Sequence, residues 1–509
     1  MMIKSNIQKL LILTFGLLIG FSACKKEPKS IPTPVTPPVV VPATRAELTK
    51  DSIFLYAKET YYWNDGLPSY DIFKPRQYST NQEVLDAIIK APKPSGITDK
   101  YSFLDDGSVS SELGGVSGDY GFSVNYNGAT TSDLRIKYVS PNSDAAVKGL
   151  KRGYRITKLN NRTDLNRQVP ADLAFVNEAV FGGKTSVSMT VEKPGGLLVD
   201  VVVTRGQYAT TPIFYSSVLT AGTKKVGYIV YNSFTTNSRD ALTAKMAEFT
   251  AAGVTELIVD LRYNGGGSVA TAEAFTNLIA PVGLNGTTMY TTFWTKTMQD
   301  GKSPILSNQP LTDSNGKLRP FTGGVNGVYA TYADIDYKPT EAAGNIEKFA
   351  KIGSANISNV YFLVLPGTAS ASELLINNLK PHMVVKLIGQ KTYGKPVGFF
   401  AINIDKLDLY VPQFETKNSQ NVGGYYSGML PDYAISDDVT KDFGDRTEAL
   451  LAAALNWSEK GSFVLSKPNN TISSVKAMSL KDAQDLNNEL DKDKFNGMTY
   501  DKKFKLKKK

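Results

Sequence analysis

The chain has 509 residues, of which 41% are apolar and 21% charged, a globular composition that excludes wholesale disorder. Its single cysteine, Cys24, excludes an intramolecular disulfide, and its single histidine, His382, excludes metal centres built from several imidazoles or thiolates. The net charge of +9 sits mostly in the first 24 residues and the last 19, so the body is close to neutral and no nucleic-acid partner is implied.

At the N-terminus, Lys4 and Lys9 precede an uncharged apolar run, Leu10–Phe21, which ends at Ser22-Ala23-Cys24. The run is shorter than the ~20 residues of a membrane-spanning helix and fits the apolar core of a secretion signal. Small residues before the lone cysteine resemble a bacterial lipobox. The resemblance implies a signal peptide over 1–23, lipidation of Cys24, and an envelope location on the periplasmic side or the outer-membrane surface. An ordinary secretory signal with an incidental cysteine is the alternative. Six prolines between residues 24 and 45 predict an extended spacer that would hold a folded body away from a membrane.

Residues 46–106 read as a small helical module, with helical spacing over Asp51–Trp63 and again over Asn81–Lys90. Residues 107–206 change character. Tyr120-Gly121-Phe122 is a glycine-containing loop entering a strand, and Leu134–Ser140, Arg155–Asn160, Ser186–Glu192 and Val199–Thr204 read as further strands. The run Tyr138-Val139-Ser140-Pro141, with Ala145-Ala146 and Gly149-Leu150-Lys151-Arg152-Gly153, resembles a PDZ domain of bacterial processing proteases. That resemblance implies capture of a peptide C-terminus by strand addition, with Gly121 and Phe122 as the carboxylate loop.

Residues 207–460 alternate strands and helices, which predicts an α/β core and, with the preceding regions, an α/β (α+β) multidomain chain. Residues 461–509 form an extension, and its basic end, Lys502–Lys509, reads as a solvated, frayed terminus.

Three segments of the core carry possible chemistry. Ser370 sits in Gly367-Thr368-Ala369-Ser370-Ala371-Ser372-Glu373, between a strand and a helix. A serine at such a turn is near helix N-terminal amides that can stabilise an oxyanion. Ser370 and Glu373 also have capping-box spacing, so a purely structural role competes with a nucleophilic one. Asp260-Leu261-Arg262-Tyr263-Asn264 runs into three glycines, Gly265–Gly267, which can turn backbone N–H groups toward a developing anion or simply make a turn. Gly389…Gly394-Lys395 is one residue from a phosphate-binding loop, but Pro396 stands where a Mg²⁺-binding hydroxyl is required, and nucleotide binding is rejected.

Taken in order, Val226-Gly227-Tyr228-Ile229, Asp260-Leu261-Arg262 with its glycines, Thr368–Glu373, Tyr393-Gly394-Lys395 and Gly428-Met429-Leu430-Pro431-Asp432 resemble the carboxyl-terminal processing (tail-specific) serine peptidase family. The resemblance implies a nucleophile at Ser370, a general base at Lys395, and an oxyanion hole from the backbone of Ala371 and of Gly265 and Gly266. Ser372 and Glu373 would start the helix, and no metal or cofactor is implied. The expected partners are protein or peptide substrates with free C-terminal tails. Two positions where the family often places a polar residue to orient the lysine hold Pro381 and Phe399 here. The alternative is therefore a catalytically weak or inactive peptide-binding surface lipoprotein on the same scaffold. His382 falls near the far end of the helix after Ser370 and reads as structural.

Overall fold

A computed structural model describes residues 42–128, 130–313, 316–463, 490 and 495–507. The expected signal peptide, Cys24 and most of the proline-rich segment lie outside the described residues. The chain from Arg45 onward forms one compact unit. No described helix is long and apolar enough to cross a membrane.

The centre of the unit is a six-stranded sheet in the order Tyr433–Ala434, Val384–Gly389, Asn359–Val364, Glu256–Asp260, Lys224–Tyr231, Ile213–Ala221. All neighbours pair in parallel except the last two, which form an antiparallel hairpin. Glu256–Asp260 is buried at every position, as a parallel strand covered on both faces must be. Helices Ser238–Ala251, Val269–Ile279 and Ala371–Leu379 connect the strands, and Ala449–Lys460 packs its leucines and alanines on the sheet's other face. Both catalytic candidates follow carboxyl ends of strands in this sheet. Open α/β sheets present ligand sites there.

Residues Phe122–Tyr126, Leu134–Val139, Arg155–Leu159, Ser186–Glu192 and Leu198–Thr204 form a five-stranded antiparallel sheet with a separate core. Helix Pro170–Phe181, which hydrophobic periodicity did not single out, packs into that core through Val176, Ala179 and Val180. Its first turn holds a proline, which suits the helix start.

The helices Arg45–Thr60 and Asn81–Lys90 share one hydrophobic cluster with the peptidase-like core, through Ile53, Phe54, Val84 and Ile88. They are helical as expected but are built into the core. The C-terminal segment differs from the expected frayed end. Strand Gly497–Thr499 pairs in parallel with Gly266–Ser268, Met498 is fully buried, and Lys502 bridges Glu273 and Glu347. The reason is that Met498, Tyr500 and Phe504 bring enough aromatic and apolar surface to dock the segment and hold Lys502, while Lys503, Lys505 and Lys507 are exposed as expected.

Candidate active site

Strand Asn359–Val364 ends in a turn that delivers Ser370 to the start of helix Ala371–Leu379. Ser370 has φ +58° and ψ −105°. A left-handed φ with that ψ lies outside the wells open to non-glycine residues. Its neighbours hold it there. Leu374 N donates to Ser370 O at 2.7 Å, and Ser370 N donates to Glu373 Oε2 at 2.9 Å. Glu373 thus supplies one half of a capping box, its carboxylate accepting from the Ser370 N–H. The other half is missing: the Ser370 hydroxyl has no hydrogen-bond partner among the described residues, and the residue is fully buried. The two sequence readings are thus reconciled: the carboxylate caps while the hydroxyl stays unengaged.

Glu373 does more than start a helix. Its buried carboxylate also accepts from Thr392 Oγ1 at 2.5 Å, Gly394 N at 2.8 Å and Lys395 N at 2.8 Å. One side chain therefore clamps the backbone of Ser370 to that of Lys395. Burial pushes its carboxyl up, against these donors. The capping spacing was visible in the sequence, but the second set of donors was not, because they follow a different strand.

Lys395 is fully buried. Its Nζ lies 4.0 Å from the Phe399 ring centroid and 5.4 Å from that of Tyr101, and donates to Asn496 O at 2.8 Å. Burial holds the ammonium well below its usual range, with Asp99 and Glu373 pulling the other way. Tyr101 Oη donates to Gly394 O at 2.6 Å and fixes the loop before the lysine. Phe399 thus supplies an aromatic wall where an acceptor was sought, and Pro381 follows the far end of the nucleophile helix. His382 Nε2 pairs with Ser419 Oγ at 2.8 Å and its ring packs edge-on against Phe349.

The glycine loop reaches Ser370 because glycines permit close approach. A Cβ on Gly266 (φ +108°) would lie 3.0 Å from Ser370 Cβ and 2.4 Å from Gly497 O. Asn264 ties the loop down: its O accepts from Ala369 N and Ser372 Oγ, and its Nδ2 donates to Tyr231 O. Asn264 Oδ1 accepts the Gly266 N–H at 2.9 Å. That bond removes Gly266 from the oxyanion role in this conformation and leaves Ala371 and Gly265 as the candidates.

Behind the loop lies a buried charge network absent from the sequence reading. Arg262 reaches Asp260 at 2.6 Å, Asp437 at 2.8 Å and Glu448 at 2.9 Å. Arg152, from the five-stranded domain, pairs with the same Asp437 at 2.9 Å and touches Tyr263 Oη. The two arginines hold the Asp437 carboxyl down at about 2 despite its burial. Asp437 and Glu448 are remote in sequence from Arg262, so no local motif marks them.

In the five-stranded domain, Tyr120, Phe122, Ser123, Asn177 and Phe181 line a cavity of ≈ 490 Å³ between the first strand and helix Pro170–Phe181. Phe122 therefore faces a groove. Gly121 does not offer its N–H: it donates to Asp119 Oδ1 at 2.7 Å, and Tyr208 Oη donates to the same oxygen. The expected carboxylate loop is filled by the chain's own carboxylate. No group of metal-ligating side chains occurs among the described residues.

A strained serine, a buried lysine clamped to it through one carboxylate, and an adjoining glycine loop meet at the carboxyl ends of the sheet, and the similarities that follow make the chain a serine-type peptidase. Residues 225–435 match the profile of peptidase family S41, so the chain carries a domain of that family. It is 25% identical over 355 residues to a "Carboxyl-terminal-processing protease" of Picosynechococcus sp., covering 69% of this chain and 71% of the relative. It is 23% identical over 343 residues to a "C-terminal processing peptidase, chloroplastic" of Tetradesmus obliquus, covering 64% and 61%. A crystal structure from Bacteroides fragilis NCTC 9343, assigned as an S41 protease, shares the fold with TM-score 0.55 and 22% identity, over 83% of this chain and 98% of that one.

Proposed function

We propose that the protein is a serine endopeptidase that uses Ser370 and Lys395 as a dyad. The observation that carries this reading is the full burial of Lys395 beside Tyr101 and Phe399, which favours a neutral amine able to take a proton. In this conformation Nζ donates to Asn496 O, and its lone pair stays available, so the dyad forms when the Ser370 hydroxyl turns its hydrogen toward the amine. Lys395 Nζ then takes the hydroxyl proton as Ser370 Oγ attacks the scissile carbonyl. The N–H groups of Ala371 and Gly265 hold the tetrahedral oxyanion. On collapse, the ammonium gives its proton to the leaving amine and an acyl-enzyme remains. Water, deprotonated by the same amine, hydrolyses the ester.

Substrates are proteins or peptides, and the groove lined by Phe122 captures an extended stretch of them. Asp119 beside Gly121 disfavours a terminal carboxylate at that loop, so discrimination rests on apolar side chains in the groove. Lipidation at Cys24 would tether the enzyme to the cell envelope.

The test uses the chain from Thr44 onward, as wild type and Ser370→Ala. Both are incubated with an unfolded protein and with apolar peptides ending in a free carboxylate or an amide, and fragments are read by mass spectrometry. Cleavage by wild type alone supports the nucleophile. If both bind the peptides and neither cuts, the protein is a peptide binder, with Phe399 in place of a polar group as the physical reason.

A further inference from the structure

We propose that the gap between the glycine loop and the strand after Lys395 is occupied by the chain's own C-terminal segment, residues 495–502, acting as an intramolecular strap. The proposal rests on the peptidase reading above. It is carried by contacts in the groove of the five-stranded domain and on both sides of that gap. Leu490 is buried with the hydrophobic core of the five-stranded domain and, with Phe495, lines the groove beside Phe122. Phe495 also packs against Phe399 and Phe103.

The next residues form a strand bonded on both edges. On one side, Gly497 N donates to Gly265 O at 3.0 Å, and Gly497–Thr499 pair with Gly266–Ser268. On the other, Phe399 N donates to Met498 O at 3.0 Å, and Tyr500 N donates to Phe399 O at 2.8 Å. The strap therefore bridges the oxyanion loop and the strand after the base, the gap a substrate strand would fill by β-augmentation. Its backbone reaches the chemistry too. Asn496 O accepts from Lys395 Nζ, and Gly497 O and Ser370 Cβ crowd the same point above Gly266. With the strap in place, Ser370 and Lys395 are both sealed from water.

Beyond the site, Asp501 accepts from Ser268 Oγ at 2.5 Å and Ala270 N at 3.1 Å, and Lys502 pairs with Glu273 at 2.7 Å. These contacts anchor the strap without touching the catalytic groups. The strap fills the gap with internal residues. It marks the substrate class as an extended internal segment carrying a large apolar side chain for the groove and a small residue beside the glycine loop.

The experiment compares three forms of the chain from Thr44 onward: intact, ended at Phe463, and intact with Leu490→Asp and Phe495→Asp. Hydrolysis of an unfolded protein and labelling of Ser370 by a fluorophosphonate are followed. A fluorescent peptide of residues 487–507 is titrated into the shortened form and read by anisotropy. The expected result is a tenfold or larger rise in kcat/KM and labelling rate on shortening, a smaller rise in the double variant, and saturable peptide binding that restores inhibition. Should the shortened form fail to fold, the double variant decides, and unchanged labelling there overturns the proposal. A folded shortened form that cleaves no faster and binds no peptide also overturns it, while leaving the peptidase reading intact. Peptide binding without hydrolysis in any form upholds the strap and sinks the peptidase reading.

Discussion

Ser370, the proposed nucleophile, is held in a conformation that costs stability, and this has a measurable consequence. It combines φ +58° and ψ −105° with a buried hydroxyl that no group among the described residues satisfies. A backbone strained in this way costs about 1–3 kcal/mol. An unsatisfied buried hydroxyl costs a further ~1–3 kcal/mol. Ser370→Ala removes only the second penalty, so it stabilises by about 2 kcal/mol at mid-range. Ser370→Gly also removes the strain, less about 0.5–1 kcal/mol for glycine's extra unfolded-state entropy, giving about 3 kcal/mol. An unfolding entropy of ~2.1 cal/mol/K per residue over the unit Arg45–Lys509 makes 1 kcal/mol worth about 1 °C. Scanning calorimetry at neutral pH is thus expected to place Tm in the order glycine, alanine, wild type, with steps of about 1–2 °C. Both variants are expected to be inactive. A wild type as stable as either would refute the claim that strain is stored at the nucleophile.

Glu373→Gln turns an amide N–H toward two of the donors the carboxylate now accepts. At about 1.5–3 kcal/mol per charged hydrogen bond it is expected to lower stability by up to ~3–6 kcal/mol, and kcat should fall at least a hundredfold. Lys395 binds its proton more weakly folded than unfolded, so stability rises with pH until the unfolded lysine titrates near ~10.4. Lys395→Met is therefore expected to abolish turnover, raise stability at pH 7, and flatten the pH dependence of urea midpoints between neutral and alkaline pH. In wild type, kcat/KM should rise with pH along a limb lying well below the usual lysine range. Asp437→Asn leaves Arg262 and Arg152 under-compensated in the core, with an expected loss of about 3–5 kcal/mol in denaturant titration.

The elements read from periodicity coincide closely with the structure where one face is buried, as in Asn81–Lys90 and Ser186–Glu192. Local pattern carries that information because burial repeats with the helix or strand period. Helix Pro170–Phe181 escaped because its apolar residues do not concentrate on one face of the pattern, and strand Ile213–Ala221 because it is an edge with mixed exposure. The site divides in the same way. Ser370, Lys395 and the glycine loop each sit in a short segment whose residue types announce a turn or a strand end. What relates them does not. Glu373 meets Gly394 and Lys395, Arg262 meets Asp437 and Glu448, and Asn496 meets Lys395 only after the sheet has brought its carboxyl ends together.

The tail shows why composition misleads in such a case. A run of lysines solvates itself when nothing faces it, but Lys502 faces Glu273 and Glu347, and Met498 and Tyr500 beside it are apolar enough to dock. The charge that suggested a frayed end is part of what fastens it. The same reasoning bears on Phe399. With an aromatic ring in place of a polar side chain, the described acceptor on the lysine is the backbone carbonyl of Asn496. A substrate strand in the same gap presents a carbonyl of its own. Exchange of strap for substrate would then leave the base held by equivalent backbone geometry, so loss of the polar side chain need not mean loss of the dyad.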